Sequence, residues 1–291
     1  MIARLSFTAA ILLSAGCLSA AQRYPVTGLI LKTDPAHRSF VASITAIPGY
    51  MEAMVMPFLV RDEKQLKGIE PSMLVDFSLV VDADDSWAED VRVHHYISME
   101  QEPLEVRNLQ LLRSAAKRDA EPPAAILGEK IPNFTLTDQT RRQVSLSQFA
   151  GKVVVAAFVY TSCPLPNYCF RLSNNLGRLQ KRFADRLGRD IILLSVTMDP
   201  VHDTPEVLAQ YGATWKADPR FWHLLTGKQP EIQALCQQFG VDFWPGEGTL
   251  THSLHTIVID REQKLAANFE GNEFTAEQLG DFVETQLGQG K

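Results

Sequence analysis

The stretch Tyr160-Thr161-Ser162-Cys163-Pro164-Leu165-Pro166-Asn167-Tyr168-Cys169 lies between an apolar run, Val153 to Val159, and a helix-like segment from Phe170 onward. Two thiols at a strand-to-helix junction are where proteins carry out redox or soft-metal chemistry. Each proline pushes the residue before it out of the helical region, so Cys163 and Leu165 are expected in an extended or turn conformation. The helix can then begin only at about Pro166 or later, with Cys163 in the loop and Cys169 near the first helical turn. In a continuous helix the i, i+6 spacing would put the two thiols on different faces, whereas a proline-shaped loop can fold one back over the other. Orphan N–H groups and the dipole at the helix start also favour a thiolate there.

Outward from this stretch, the pattern alternates. A hairpin signal, Ile131 to Asp138 with Gln143 to Leu146, precedes the apolar run, whose character suits a strand buried on both faces. After the cysteine helix, ending at about Ala184, come the strand Ile191 to Thr197 and a helix through Tyr211, opened by Asp203-Thr204-Pro205-Glu206 read as a capping box. Trp222 to Leu225, a helix over Pro230 to Phe239, strands His255 to Asp260 and Leu265 to Phe269, and a last helix over Thr275 to Leu287 complete the run. Such alternation predicts a central sheet flanked by helices.

From Tyr24 to about Ile97 the text is instead strand-like throughout. Short runs at Val26 to Ile30, Ser39 to Ile44, Met56 to Val60, Leu74 to Val81 and Glu89 to Tyr96 are separated by turn-formers such as Asp34-Pro35 and Pro48-Gly49. A small antiparallel barrel is the expectation. Residues 98–126 read as a charged, partly helical linker. The fold class expected is therefore α+β in two domains: an N-terminal small antiparallel β-barrel, OB-like, over 24–97, and a C-terminal α/β, thioredoxin-like domain over 127–287.

The 291 residues carry a net charge of −6, which argues against nucleic acid or an anionic membrane as a partner. MIAR followed by LSFTAAILLSAG, with Ser19-Ala20-Ala21 offering a cleavage site before Gln22, reads as an export signal over 1–21, with an uncleaved anchor as the alternative. Cys17 leaves lipidation open, although Ser14 stands where a lipobox prefers leucine. Outside this segment remain Cys163, Cys169 and Cys236. That odd count suits a reactive pair and a spare thiol better than a stapled scaffold, and Cys236 reads as helix packing.

Three of the seven methionines fall within Ile47 to Phe58. Met54 and Met56, two apart, would face the same side of a strand, and thioether sulfur is a soft ligand suited to Cu(I). The order YxVxGxI, IPGYMxAMxMPF, LKGI and VDFxLVVD, then an acidic turn and Trp87, resembles the CusF-like periplasmic copper-binding barrel. That resemblance implies Met54 and Met56 as metal ligands. It also implies a histidine about three residues before Ile47, where this chain has Ser43-Ile44, and a tryptophan where it has Met51. His37 is far upstream of the expected place.

The order PNFTLTD, GKVVVAAFVYTSCP, SVTMDPVHDTPEVLAQY and THSLHTIVID resembles the Sco/SenC family of thioredoxin-fold proteins over roughly 127–287. The resemblance implies a copper ion held by Cys163, Cys169 and a distal histidine, and its delivery to the binuclear copper centre of a cytochrome oxidase subunit. It also implies, for some members, thiol-disulfide exchange with a partner protein. The family spacing is CxxxC, whereas five residues separate the thiols here. His252, followed by Ser253 and eight residues before Asp260, fits the family place. His255 has the opposite strand parity and would point away.

Three functions follow as expectations: an exported, periplasmic copper chaperone; a metal-independent thiol-disulfide oxidoreductase; and a peroxiredoxin-like peroxidase, from the partial echo of TxxC at Thr161. In the oxidoreductase reading the attacking thiol stays open. The helix start favours Cys169, and the thioredoxin analogy favours Cys163.

Overall fold

The computed structural model describes residues 21–83, 85–94, 125–245 and 250–288. Cys17 and nearly all of the expected export signal and linker lie outside the described residues.

The strand Val153–Val159 (β8) organises the C-terminal part, and all seven of its residues are buried. It pairs in parallel with Ile191–Thr197 (β9) and antiparallel with His255–Ile259 (β13). Continuous apolar text is what a strand covered on both faces requires. The full sheet has seven strands in the order β14-β13-β8-β9-β10-β6-β7. Its other members are Thr135–Asp138 (β6), Gln143–Ser145 (β7), Trp222–Thr226 (β10) and Leu265–Glu270 (β14). Phe243–Pro245 (β11) and Leu250–His252 (β12) form a separate two-stranded ribbon.

Four helices flank this sheet among the described residues: Cys169–Arg182 (α1), Pro205–Thr214 (α2), Gln229–Gln238 (α3) and Ala276–Gly288 (α4). In α1, Cys169, Leu172, Leu176 and Leu179 are buried, the i, i+3, i+7 stripe of a helix packed on one side. Residues Lys181 and Arg182 in its last turn favour the negative end of the dipole. Thr204, not Asp203, caps α2. Its side chain accepts from Val207 N, with Pro205 in the first turn. With Thr204 as the cap, position N3 is Val207, so Glu206 does not return a bond to the cap N–H and the expected capping box is corrected to a single threonine cap.

The N-terminal strands form a five-stranded antiparallel sheet in the order β3-β2-β1-β4-β5, comprising Gln22–Asp34 (β1), Ser39–Ile44 (β2), Met54–Leu59 (β3), Leu74–Val81 (β4) and Ser86–Val93 (β5). The expected OB-like barrel is corrected to an open, curled sheet: Val60, one residue past β3, makes an isolated bridge to Ala88 of β5. The chain leaves β3 for the short 3-10 turn Glu63–Leu66, and Gln65 Oε1 accepts from Val91 N of β5 at 3.3 Å. A side chain thus meets an edge donor that a barrel would have paired with a strand. Phe40, Phe58 and Phe77 fill the concave side, with centroids 4.8–5.5 Å apart. Leu29 and Leu31 of β1 instead belong to the core under the seven-stranded sheet, so the two sheets share apolar packing.

Candidate soft-metal and thiol site

β8 ends at Val159, and buried Tyr160 turns the chain into the cysteine loop. Tyr168 N closes a turn on Leu165 O at 3.1 Å, and α1 starts at Cys169. Cys163 is therefore on the partly exposed loop, while Cys169, the first helical residue, is buried beneath it. Both are free thiols, as is Cys236, fully buried in α3.

His252 arrives from the last residue of β12. Its Nδ1 lies 2.9 Å from Ser253 O, and a carbonyl can only accept, so Nδ1 carries the hydrogen. The other ring nitrogen, Nε2, faces Cys169 Sγ, 3.8 Å away. The ring is packed edge-to-face by Tyr160 and Tyr168, at centroid distances of 5.5 and 6.2 Å. The Sγ atoms of Cys163 and Cys169 and a ring nitrogen of His252 all lie within 4.8 Å of one another. His255, three residues on, is turned to Asn268, with Nδ1 2.8 Å from Oδ1, and is not part of this group.

The two thiols are electrostatically unlike. Cys163 is drawn down to about 4, chiefly by a hydrogen bond from the Cys169 thiol, then against the opposing effect of burial by His252 and the main chain at Leu165 and Cys169. Cys169 is pushed well up, first by its own burial and then by the neighbouring Cys163. Of the two positions left open, the helix-start argument for Cys169 gives way. Removing a thiolate from water outweighs the pull of the helix start. Burial also pushes the Cys236 thiol up, as suits an inert core residue.

Met54 and Met56 lie elsewhere, on edge strand β3 of the five-stranded sheet. Met54 is 46 % exposed, and Met56 packs against the phenylalanine core. Opposite them in register stand Ile44 and Ala42, which offer no donor atoms. Ser43 faces the other way and donates to Asp281 at 2.6 Å. His37 lies at the far end of this hairpin, next to the Ser39–Leu59 pair, and bonds Asp34 at 2.8 Å. Trp87 is covered by the Arg61 guanidinium, 3.2 Å from the ring centre.

Asn272, buried between β14 and α4, was not singled out from the sequence, yet its amide donates to Asn167 O in the middle of the cysteine loop. No local spacing signals a contact across 105 residues.

A thioredoxin-like sheet with one loop thiol, a second thiol at the helix start and a distal imidazole defines a class of protein suited to soft-metal or disulfide chemistry. The chain belongs to the SCO1/SenC family, whose model matches residues 125–287. It is 28% identical over 154 residues to the SCO1 protein homolog of Bacillus subtilis, covering 51% of this chain and 78% of that one. It is 27% identical over 140 residues to a Stutzerimonas stutzeri protein named "Putative copper-binding protein", covering 46% of this chain and 66% of that one. A crystal structure of a "putative electron transfer protein" from Aquifex aeolicus VF5 shares the fold, with a TM-score of 0.51 at 20% identity over 57% of this chain and 96% of that one.

Proposed function

We propose that this chain is an exported copper chaperone of the Sco type, with Cu(I) as its cargo. Cys163, Cys169 and His252 would bind the ion, and a copper-acceptor protein such as a cytochrome oxidase subunit would receive it. The observation that carries the reading is the convergence of two sulfurs and one ring nitrogen within 4.8 Å. An ion about 2.3 Å from each of three coplanar donors sets them about 4 Å apart, so binding needs only a small contraction. Thiolate and imidazole form a soft set suited to Cu(I). Copper binding in the name of the Stutzerimonas stutzeri relative supports the same cargo. The leader-like first residues support export to the periplasm. Met54, exposed, and Met56, partly buried, supply a weaker thioether pair.

Competitive Cu(I) titration tests the proposal. The expected result is one tightly bound ion per chain, at least tenfold weaker binding in His252→Ala, and no tight binding in Cys163→Ala or Cys169→Ala. Met54→Ala/Met56→Ala should keep the tight ion and lose only weak uptake. Unchanged affinity in Cys163→Ala would refute the assignment.

The asymmetry of the thiols favours a second reading, disulfide exchange. The Cys163 thiolate would attack a partner's disulfide and release one partner thiolate. Cys169, giving up its proton to solvent, would then attack Cys163 Sγ and release the second. The partner is reduced by two electrons, and Cys163–Cys169 becomes the disulfide. Reductase activity with no copper uptake by the wild-type protein would select this reading over the first.

A further inference from the structure

Asp203 is 1 % exposed and forms no ion pair among the described residues. Its carboxylate is held by neutral donors alone. Oδ2 accepts from Thr161 N at 3.1 Å and from Thr197 Oγ1 at 2.5 Å, and Oδ1 accepts from the Thr161 hydroxyl. Thr197 ends β9, and its hydroxyl also accepts from Asp199 N at 2.9 Å. Asp203 itself is seated by a main-chain bond from its N–H to Asp199 O at 2.9 Å. A buried carboxylate without a cation is costly unless its lone pairs are filled, and neutral residues in a turn would avoid that cost. Thr204 already caps α2, so the helix does not need Asp203 as its cap.

Thr161 stands two residues before Cys163, at the entry to a loop in which the only main-chain bond from Cys163 N is a long one, 3.4 Å to Tyr160 O. We infer that Asp203 is a positioning residue for the thiol site. It ties the loop entry to the end of β9, and this anchorage keeps Cys163 Sγ over Cys169. The role rests on the thiol site proposed above and acts through Thr161, without contact to the cargo. Holding two reacting groups at a fixed separation raises their effective concentration, which favours a two-sulfur metal complex and an intramolecular disulfide alike.

The test compares Thr161→Val, which keeps the side-chain shape but loses the hydroxyl, with Thr161→Ser, which restores it, and with Asp203→Asn. The full chain is equilibrated with glutathione. Oxidised glutathione is reduced to two thiols as Cys163 and Cys169 join, and Cu(I) affinity is measured separately. In Thr161→Val and Asp203→Asn both the glutathione equilibrium constant and the Cu(I) affinity should fall about tenfold, with Thr161→Ser near wild type. Should Asp203→Asn fail to fold, the Thr161 pair carries the comparison, since that side chain is partly exposed. Values within twofold of wild type in Thr161→Val, or a Thr161→Ser variant as impaired as Thr161→Val, would overturn the role. Absence of Cu(I) uptake by the wild type would sink the copper reading alone, because the glutathione equilibrium measures Asp203 without metal.

Discussion

Cys163 and Cys169 share one environment but differ in depth, and depth sets the two thiols apart. The outer sulfur receives the hydrogen of the inner thiol and keeps one side toward solvent, so its thiolate is stabilised and reachable. An ordinary cysteine titrates near about 8.5, so a folded value of about 4 means the folded state prefers the thiolate. The sign follows from linkage. This contribution to stability is complete above the unfolded value and is lost as pH falls through about 4. Iodoacetamide labelling with peptide mapping should show Cys163 alkylated in mildly acidic buffer, with a midpoint near 4, and Cys169 resistant until the chain unfolds. A Cys163 midpoint in the ordinary thiol range would show that the inner thiol does not stabilise it. Cys163→Ser should leave Cys169 still slow, because burial is the first cause of its raised value.

The elements that bring these residues together were legible to different degrees. β8 and β9 could be read directly, because strands buried on both faces have no polar alternation to mislead. The start of α1 followed from Pro164 and Pro166. By contrast, β5 begins at Ser86 rather than Glu89, since Ser86 and Trp87 pair with Val81 and Val80 although the text there resembles a turn. His252 was reachable only through family resemblance, because nothing local announces a partner 83 residues away. Asn272 and the tie from Asp203 to Thr161 gave no periodic or motif signal, since they are single contacts between loops. One glycine governs the turn that feeds β9. Gly188 has φ of 78°, and a Cβ there would meet the Phe221 ring at 2.3 Å. Gly188→Ala combines a left-handed backbone with overpacking and should cost about 2–3 kcal/mol. Urea unfolding would measure it, and a loss below about 0.5 kcal/mol would mean that both the left-handed turn and the Phe221 ring relax around the new methyl.

At the scale of the whole molecule, the five-stranded sheet is joined to the thioredoxin-like part by polar contacts as well as by Leu29 and Leu31. Ser43 Oγ donates to Asp281 at 2.6 Å, and Gln278 Nε2 donates to Ser43 O at 3.0 Å, tying β2 to α4. Asp281 also holds Arg182 of α1 at 2.6 Å, so the cysteine helix belongs to the same junction. Near the other end, His94 bridges two carboxylates, with Nδ1 2.6 Å from Asp76 Oδ2 on β4 and Nε2 2.5 Å from Glu273 Oε2 ahead of α4. Thr27 Oγ1 donates to the remaining oxygen of Asp76 at 2.7 Å, and Arg92 borders the groove beside His94. Both ring nitrogens can donate only in the imidazolium; burial opposes that charge, but the bonds to Asp76 and Glu273 together exceed it and raise the pKa of His94. A raised folded value gives stability that is complete below about 6.5 and disappears as pH climbs through the folded value. The clasp is partly exposed, so its contribution should be about 1 kcal/mol, seen as a lowering of Tm by about 2–4 °C in His94→Ala near pH 6. Paired thermal scans of wild type and His94→Ala should converge as pH rises toward 9. A gap that stays constant across that range would mean that His94 joins the two sheets by packing alone.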